Sequence, residues 1–508
     1  MSAKPILKIV VLLNILLISS TSICQQKKLP NIIYILADDL GYGDISYLNN
    51  QSKINTPNID KLAQEGISFN DAHSNSAVCT PTRYGILTGR YAWRTWMKSG
   101  VLWSYDKPLI NSKRETVASL LKKQGYNTAC IGKWHLGLDW AKDKNGKIDF
   151  NKPINGTPND IGFDEFYGIT ASLDIPPYFY IKNRQITATR IDTINGTTGK
   201  GFWRKGPIGN DFKHDEVLPH LTKKATEYIQ KNADKREPFF LYFPLPAPHT
   251  PILPTPKFRG KSKAGEYGDF VLMVDDVVKQ IEEILKEKGI DNNTLIVFTS
   301  DNGFAPAANL QEQLNFGHHP SYNMRGHKAD IFEGGHRIPF IVKWPRKIKA
   351  GTYSAETVCL TDLMMTVGAI VNEKIADNSA EDSFNILPVL LGEKIEKPIR
   401  EATIHHSIEG VFSIRQGNWK LIFGPGSGGW SYPVPKAARK LNLPLYQLYN
   451  LKDDISEKNN VAYKHPELVQ KLTKLMEQYV KNGRSTVGEP QKNDTETTFK
   501  PKAHKNEN

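Results

Sequence analysis

NIIYILADD, residues 31–39, runs apolar from Ile32 to Ala37 and then stops on two aspartates. A strand with one wet face alternates apolar and polar residues. A strand covered on both faces does not, and unbroken runs of this length belong to the parallel sheets of α/β proteins. The texture recurs in NTACIGKWHLG (127–137), EPFFLYFPLPAPHTP (237–251), NTLIVFTSDNG (293–303) and HRIPFIVKWP (336–345). Between these runs, FVLMVDDVVKQIEEILKEKG (270–289) has apolar residues at helical spacing and stops at Gly289 after two lysines. Strands alternating with helices predict an α/β fold: a large mixed, mostly parallel sheet sandwiched by helices.

Ligands of such sheets gather beyond the carboxyl ends of the strands. Asp38 and Asp39, Lys133 and His135, His249, and Asp301 and Asn302 each fall just after a predicted strand, so residues far apart in sequence can converge. Taken singly, acid pairs and Asp-Asn-Gly are ordinary turn formers. Together they offer hard oxygen donors suited to Ca2+ or Mg2+ rather than zinc, and donor type does not choose between those two. Lys133 and His135 alternate along an extended segment and are expected to face one side. His249 sits between prolines, and Lys328 lies in RGHKADIFEGGHRIP (325–339), where Gly334 and Gly335 permit close backbone approach. A metal site beside lysines, histidines and Arg83 describes a pocket for a compact dianion.

At 508 residues the chain is expected to hold one large domain and a smaller one. Lysine and arginine number 66 against 53 acids. With no zinc-finger spacing, long basic helix or aromatic RNA-binding signature, no nucleic-acid partner is expected. Attraction of anionic substrates and plain solvation by lysines of the C-terminal tail are the other readings, and charge alone decides little between them. Lys4 and Lys8 precede IVVLLNILLIS, whose length suits a signal peptide better than a bilayer span of about 20 residues. Residues 1–24 are therefore expected to be a signal peptide and the protein to be exported, to the periplasm. Secretion and lipid anchoring through Cys24 are the alternatives, and no stable membrane partner is expected. Residues 25–400 form the expected catalytic α/β domain. From about Ala402 short strands in GVFSIRQGNWKLIFG and LPLYQLYNLKDD, then the helical HPELVQKLTKLMEQYVKNG, predict an α+β domain over 401–483. Residues 484–508 are expected to be a disordered polar tail, and Gly196 to Gly209 a loop.

Cys79, Cys130 and Cys359 are an odd set in an exported chain. Cys130 and Cys359 read as small buried residues, with a bridge between them as the alternative. Cys79, in CTPTR, is expected to stand at a Pro-containing turn with Arg83 close by, unprotected by apolar packing. That placement suits chemistry better than packing.

Cys79-Thr80-Pro81-Thr82-Arg83, continued by GILTGR, resembles the C-x-P-x-R signature of the formylglycine-dependent (type I) sulfatases of the alkaline phosphatase superfamily. The resemblance extends in order through NIIYILADDLGYGD, TACIGKWHLG, PLPAPHTP, FTSDNG, GHKADIFEGGHRIPFIVKWP and LYQLYNLKDDISEKNNVA, from about Pro30 to about Gly483. It implies an alkaline phosphatase-like fold and a sulfuric ester hydrolase. It further implies that a separate maturation enzyme oxidises Cys79 to formylglycine (3-oxoalanine), whose hydrate is nucleophile and metal ligand. Asp38, Asp39, Asp301 and Asn302 would hold one divalent cation, Ca2+ or Mg2+, and Arg83 would hold the hydrate. Lys133, His249 and Lys328 would bind the sulfate, with His249 and Lys328 protonating the leaving oxygen. His135 would take the proton from the second hydroxyl, so that the sulfate hemiacetal collapses to aldehyde and free sulfate.

The substrate beyond the sulfate is expected to be a sulfated polysaccharide or oligosaccharide, read by variable loops. His73, Trp93, Arg94, Asp174, His214, His318 and His319 are the candidates there. A broad arylsulfatase, a phosphomonoester or phosphonate hydrolase of the same superfamily, and a non-catalytic carbohydrate-binding relative are the rivals. The last should have lost the cysteine or the ligands, and this chain keeps both.

Overall fold

In the computed structural model the described residues are 29–501. The expected signal peptide and Cys24 lie outside them. A ten-stranded sheet crosses the large domain, built in chain order from β1 (Asn31–Ala37), β2 (Ile67–Phe69), β3 (Asn127–Lys133), β4 (Glu165–Ile169), β5 (Ile181–Lys182), β6 (Gln185–Ile186), β7 (Phe239–Pro244), β8 (Thr294–Ser300), β9 (Phe340–Lys343) and β10 (Thr352–Ser354). Their spatial order is β10-β2-β9-β8-β1-β7-β3-β4-β5-β6. The centre is parallel, β8-β1-β7-β3-β4, and antiparallel pairing enters through β9 on one side and β5 and β6 on the other.

β1 shows why the central strands are apolar throughout. Ile32, Tyr34 and Leu36 pack in the core on one face of the sheet. Helices α1 (Cys79–Thr88), α2 (Val117–Lys123) and α3 (Leu363–Val371) cover that face. Ile33, Ile35 and Ala37 pack on the opposite face, under the helices Val217–Ala233 and Gly265–Glu287. Successive residues point to opposite faces, so a sheet covered twice leaves no position for a polar side chain.

A four-stranded antiparallel sheet, Thr403–His406, Phe412–Gln416, Trp419–Ile422 and Gln447–Asn450, packs with the helix Pro466–Lys481. Two expectations fail locally. Gly206–Gly209 is not loop; it pairs with Ile191–Ile194 in an antiparallel ribbon. Residues 484–501, expected to be disordered, are anchored: Asp494 accepts from Arg90 Nη2 at 3.0 Å, Asn493 Oδ1 from Arg94 Nη1 at 3.1 Å, and Phe499 joins the smaller domain's core. Buried arginines in the preceding domain give this polar segment partners, which composition alone does not reveal. All of Cys79, Cys130 and Cys359 are free and buried, so no bridge joins Cys130 to Cys359.

Among the described residues no helix is long and apolar enough to cross a membrane.

Candidate active site

Parallel pairing sets Ala37 opposite Ser300, so the acids that follow β1 and β8 emerge side by side. Asp38, Asp39, Asp301 and Asn302 are all buried. Asp39 turns the chain with φ 66°, a left-handed conformation that non-glycine residues take at a cost. Its backbone N–H donates to Asp301 Oδ1 at 3.2 Å, and its carboxylate accepts from Asn302 Nδ2 at 2.7 Å. Asn302 Oδ1 is left buried with no hydrogen-bond partner.

Cations surround these acids. Lys133 Nζ, at the end of β3, lies 2.6 Å from Asp38 Oδ2. Lys328 Nζ lies 2.6 and 2.8 Å from the two oxygens of Asp39. Arg83 donates through Nε and Nη2 to Asp301 Oδ2 at 3.1 and 2.7 Å, and through Nη1 to the Lys133 carbonyl at 3.0 Å. His249 Nε2 is 3.5 Å from Asp39 Oδ2, while Nδ1 lies 2.5 Å from the Thr250 carbonyl oxygen. Burial alone would raise the Asp38 pKa, but Lys133, His249, Arg83 and Lys328 outweigh it and hold the carboxyl well below its ordinary range. Asp301 is pushed up, by burial first and then by the Asp38 carboxylate. Burial works to lower the Lys328 pKa, yet Asp39 and its neighbours keep it raised.

Cys79 Sγ is 3.7 Å from Asp38 Oδ1, and the residue is 1% exposed. The sequence suggested an unprotected thiol at a Pro-containing turn. Instead Cys79 is the first residue of α1, and Pro81 sits in the first turn, where a missing N–H costs nothing. The helix therefore aims its positive end at the Cys79 side chain. Burial pushes the thiol pKa up to about 12 despite Lys133 and Lys328, so an unmodified Cys79 stays protonated and is a poor nucleophile.

Lys133 and His135 do converge on this place, but not by strand alternation. β3 ends at Lys133, and His135 adopts φ 58° beyond it. His135 Nε2 lies 2.8 Å from the Leu102 carbonyl oxygen, which can only accept, so Nε2 carries the proton. Nδ1 is then an unprotonated base, buried and without a partner. Burial, with help from Lys133 and Arg83, holds the His135 pKa well below its ordinary value, so the ring is neutral. The glycines near Lys328 act as expected: a Cβ on Gly335 would stand 2.1 Å from the Asp330 carbonyl oxygen.

The loop candidates divide sharply. Asp174 reaches the pocket, with Oδ1 at 4.0 Å from His249 Nδ1, and His214 stacks on Trp203 with ring centroids 4.3 Å apart. His73, Trp93, Arg94 and His318 are structural: His73 bonds Asp71 and His336, Trp93 stacks with Tyr91, Arg94 clamps Asp382, and His318 bonds Asp44. His319 is exposed. Trp103 and Arg204, beside Asp174, were not anticipated, because nothing in their local sequence marks them.

The donor set fits one hard divalent cation. Three carboxylates and an amide converge, no sulfur or imidazole is needed, and the orphaned Asn302 Oδ1 is a buried acceptor that a cation would satisfy. Asp38, Asp39, Cys79 and His249 also bring potential ligand atoms within 4.8 Å of one another.

A covered parallel sheet with acids, an amide and buried cations at its strand tips suits metal-assisted attack on a compact anion, as the resemblance to the hydrolases of the alkaline phosphatase superfamily implies. Comparison with known proteins makes this specific. The chain belongs to the sulfatase family, whose model matches residues 30–372, and it is a sulfuric ester hydrolase. It is 34% identical over 491 residues to an N-acetylgalactosamine-6-O-sulfatase of Bacteroides thetaiotaomicron, covering 89% of this chain and 93% of that protein. It is 31% identical over 460 residues to human steryl-sulfatase, covering 78% and 76%. A solved B. thetaiotaomicron structure, from work on the metabolism of multiple glycosaminoglycans, superposes with a TM-score of 0.80 at 34% identity, covering 89% of this chain and 99% of that one.

Proposed function

We propose that the protein removes sulfate from a sulfated carbohydrate, specifically the 6-sulfate of an N-acetylhexosamine in a polysaccharide or oligosaccharide. The observation that carries this reading is the near full-length similarity to the N-acetylgalactosamine-6-O-sulfatase, at 34% identity over 89% of this chain. Cys79 is read as matured to formylglycine by a separate enzyme, and the chain as exported to the periplasm, on the sequence features of residues 1–24 and 79–83. Burial of the Cys79 thiol, which pushes it up to about 12, supports the first point, since a protonated thiol is a poor nucleophile. The hydrated aldehyde supplies a hydroxyl to attack sulfur and a second hydroxyl whose deprotonation releases the product.

Asp38, Asp39, Asp301 and Asn302 would hold the cation, taken as Ca2+, which when bound offsets negative charge at the sulfate and acidifies the nucleophile. Lys133 and Lys328 present ammonium groups at the same tips and stabilise the charge on the sulfate oxygens in the transition state. Arg83 ties Asp301 to the Lys133 backbone and fixes the pocket floor. His249, with Nδ1 anchored on Thr250, presents Nε2 to the leaving alkoxide oxygen and donates the proton there, with Lys328 assisting. His135 Nδ1 accepts the proton of the second hydroxyl in the release step.

The test is sulfate release from defined 6-sulfated N-acetylgalactosamine and N-acetylglucosamine, a steryl sulfate, and a matched pair of aryl sulfate and aryl phosphate. Turnover of a 6-sulfated sugar with kcat/KM well above the steryl and aryl sulfates is expected. Preference for the steryl sulfate or for the phosphate would overturn the reading.

A further inference from the structure

On the far side of His249 from the buried cations, a carboxylate stands with one oxygen committed and the other free. Asp174 Oδ2 accepts from Arg204 Nη1 at 2.5 Å, and the Asp174 carbonyl oxygen accepts from Arg204 N and Nη1, both at 3.1 Å. Arg204 is itself held flat, with its guanidinium carbon 5.0 Å from the Trp103 ring centroid and 4.9 Å from that of Phe202. Trp103 follows Leu102, whose carbonyl holds His135, so the unit is tied to both sides of the pocket. Asp174 Oδ1 is buried and has no hydrogen-bond partner. The 4.0 Å to His249 Nδ1 is too long for a hydrogen bond, and that nitrogen is already paired with Thr250.

We infer that Asp174 Oδ1 is the acceptor for a hydroxyl group on the ring that carries the sulfate ester, with Arg204 as the residue that positions it. This rests on the carbohydrate reading above. The electrostatics support a neutral donor. A carboxylate repels the sulfate, which the lysines take on the other side, and attracts O–H. A buried acceptor left unpaired is unfavourable, so a ligand with a hydroxyl there is favoured and one without it is rejected. Sterols and simple aryl groups offer no such neighbouring hydroxyl; a hexosamine does. Trp103 and Phe202 hold the guanidinium so that Oδ2, not Oδ1, is taken.

The experiment compares kcat/KM of the native enzyme on N-acetylgalactosamine 6-sulfate with its 3-deoxy and 4-deoxy analogues, then repeats the set with Asp174→Ala and Asp174→Asn. Asp174→Asn keeps an oxygen for Arg204 and guards against misfolding, with thermal unfolding as the check. Expected is a loss of roughly 10- to 100-fold for one analogue with the native enzyme, falling to near parity with Asp174→Ala. Two results would overturn the assignment: native enzyme that turns over the parent sugar but ignores both deletions, or variants that retain the native discrimination. A uniform loss on sugar and aryl sulfate together, with a shifted basic limb of the kcat profile, would also overturn it, assigning Asp174 to His249 instead. Native enzyme inactive on every sulfated hexosamine would overturn the carbohydrate reading first, and the subsite with it, before any variant is made.

Discussion

Arg415 Nη1 and Nη2 lie 2.6 and 2.8 Å from the two carboxylate oxygens of Asp71, a two-point ion pair joining the small sheet to the large domain. Asp71 also meets His73 Nε2 at 2.9 Å and Arg337 Nη2 at 3.1 Å. The partners are unequal: loss of Asp71 leaves the buried Arg415 guanidinium without its carboxylate, although Arg337 keeps Glu333 at 3.1 Å, whereas loss of Arg415 leaves Asp71 with Arg337. Asp71→Leu is therefore expected to cost about 3–5 kcal/mol, the range for breaking a buried pair, and Arg415→Met clearly less. Urea unfolding of both variants checks the order, and equal costs would refute it.

His135 shows how a side chain can be set as a base by its tautomer alone. Because the Leu102 carbonyl fixes the proton on Nε2, the lone pair of Nδ1 faces the buried interior. His135→Ala is expected to lower kcat by about 10²–10⁴-fold, the usual worth of a general base. The same variant should retain sulfate on the peptide spanning residues 74–83 after a single turnover, visible by mass spectrometry. A slow variant whose peptide carries no sulfate would remove His135 from the release step.

The central strands and their carboxyl-end residues were legible because a sheet buried on both faces imposes an apolar run, and function follows where the run stops. Asp38, Lys133, His249 and Asp301 were placed at strand ends on that ground, and the structure brings them together. Shorter strands such as Ile181–Lys182 and Thr352–Ser354 carry too few residues to show a period. Conformations outside the regular classes were equally hidden: the left-handed turn at His135 replaces the expected alternation, yet delivers the ring to the same pocket. Charged residues deceived most. His73 and Arg94 look like ligands for a sugar, but each is consumed by a buried carboxylate contributed from elsewhere in the chain or nearby. The anchored segment 484–501 is the same lesson reversed, since its partners Arg90 and Arg94 lie about four hundred positions away.

Asn302 offers a test of the cation that does not depend on turnover. Its Oδ1 has no protein partner, whereas its Nδ2 bonds Asp39. Calcium at a hundred times its dissociation constant should stabilise the native protein by about 2.7 kcal/mol through linkage. Asn302→Ala should lose most of that increment at the same calcium concentration while remaining folded in chelator. Identical calcium-dependent shifts in melting temperature for the two proteins would remove Asn302 from the ligand set.

Acid should destabilise the protein before its exposed carboxylates titrate. Burial lowers the pKa of His214 and of His406 to about 4, and holds His135, His336 and His405 well below the ordinary 6.5. A histidine with a depressed folded pKa stays neutral in the native state while the unfolded chain takes up a proton below 6.5. The unfolded state then binds more protons, so stability is full above pH 6.5 and falls as pH drops towards 4, by up to about 1.4 kcal/mol per unit for each such ring. Asp275 and Glu457, raised by burial to about 6 and about 7, and Asp301, Asp362 and Glu381, also raised by burial, work in the opposite direction over part of this window, but with His73 and His220 lowered as well the histidines outnumber them. His406, whose Nδ1 lies 3.1 Å from Ser76 Oγ, is outside the active site, so His406→Gln isolates one ring. Unfolding free energies measured from pH 7 to 4.5 should fall for the native protein, and less steeply for His406→Gln by about one proton's worth. A variant slope equal to the native one would mean that His406 is charged in the folded state, contrary to its burial.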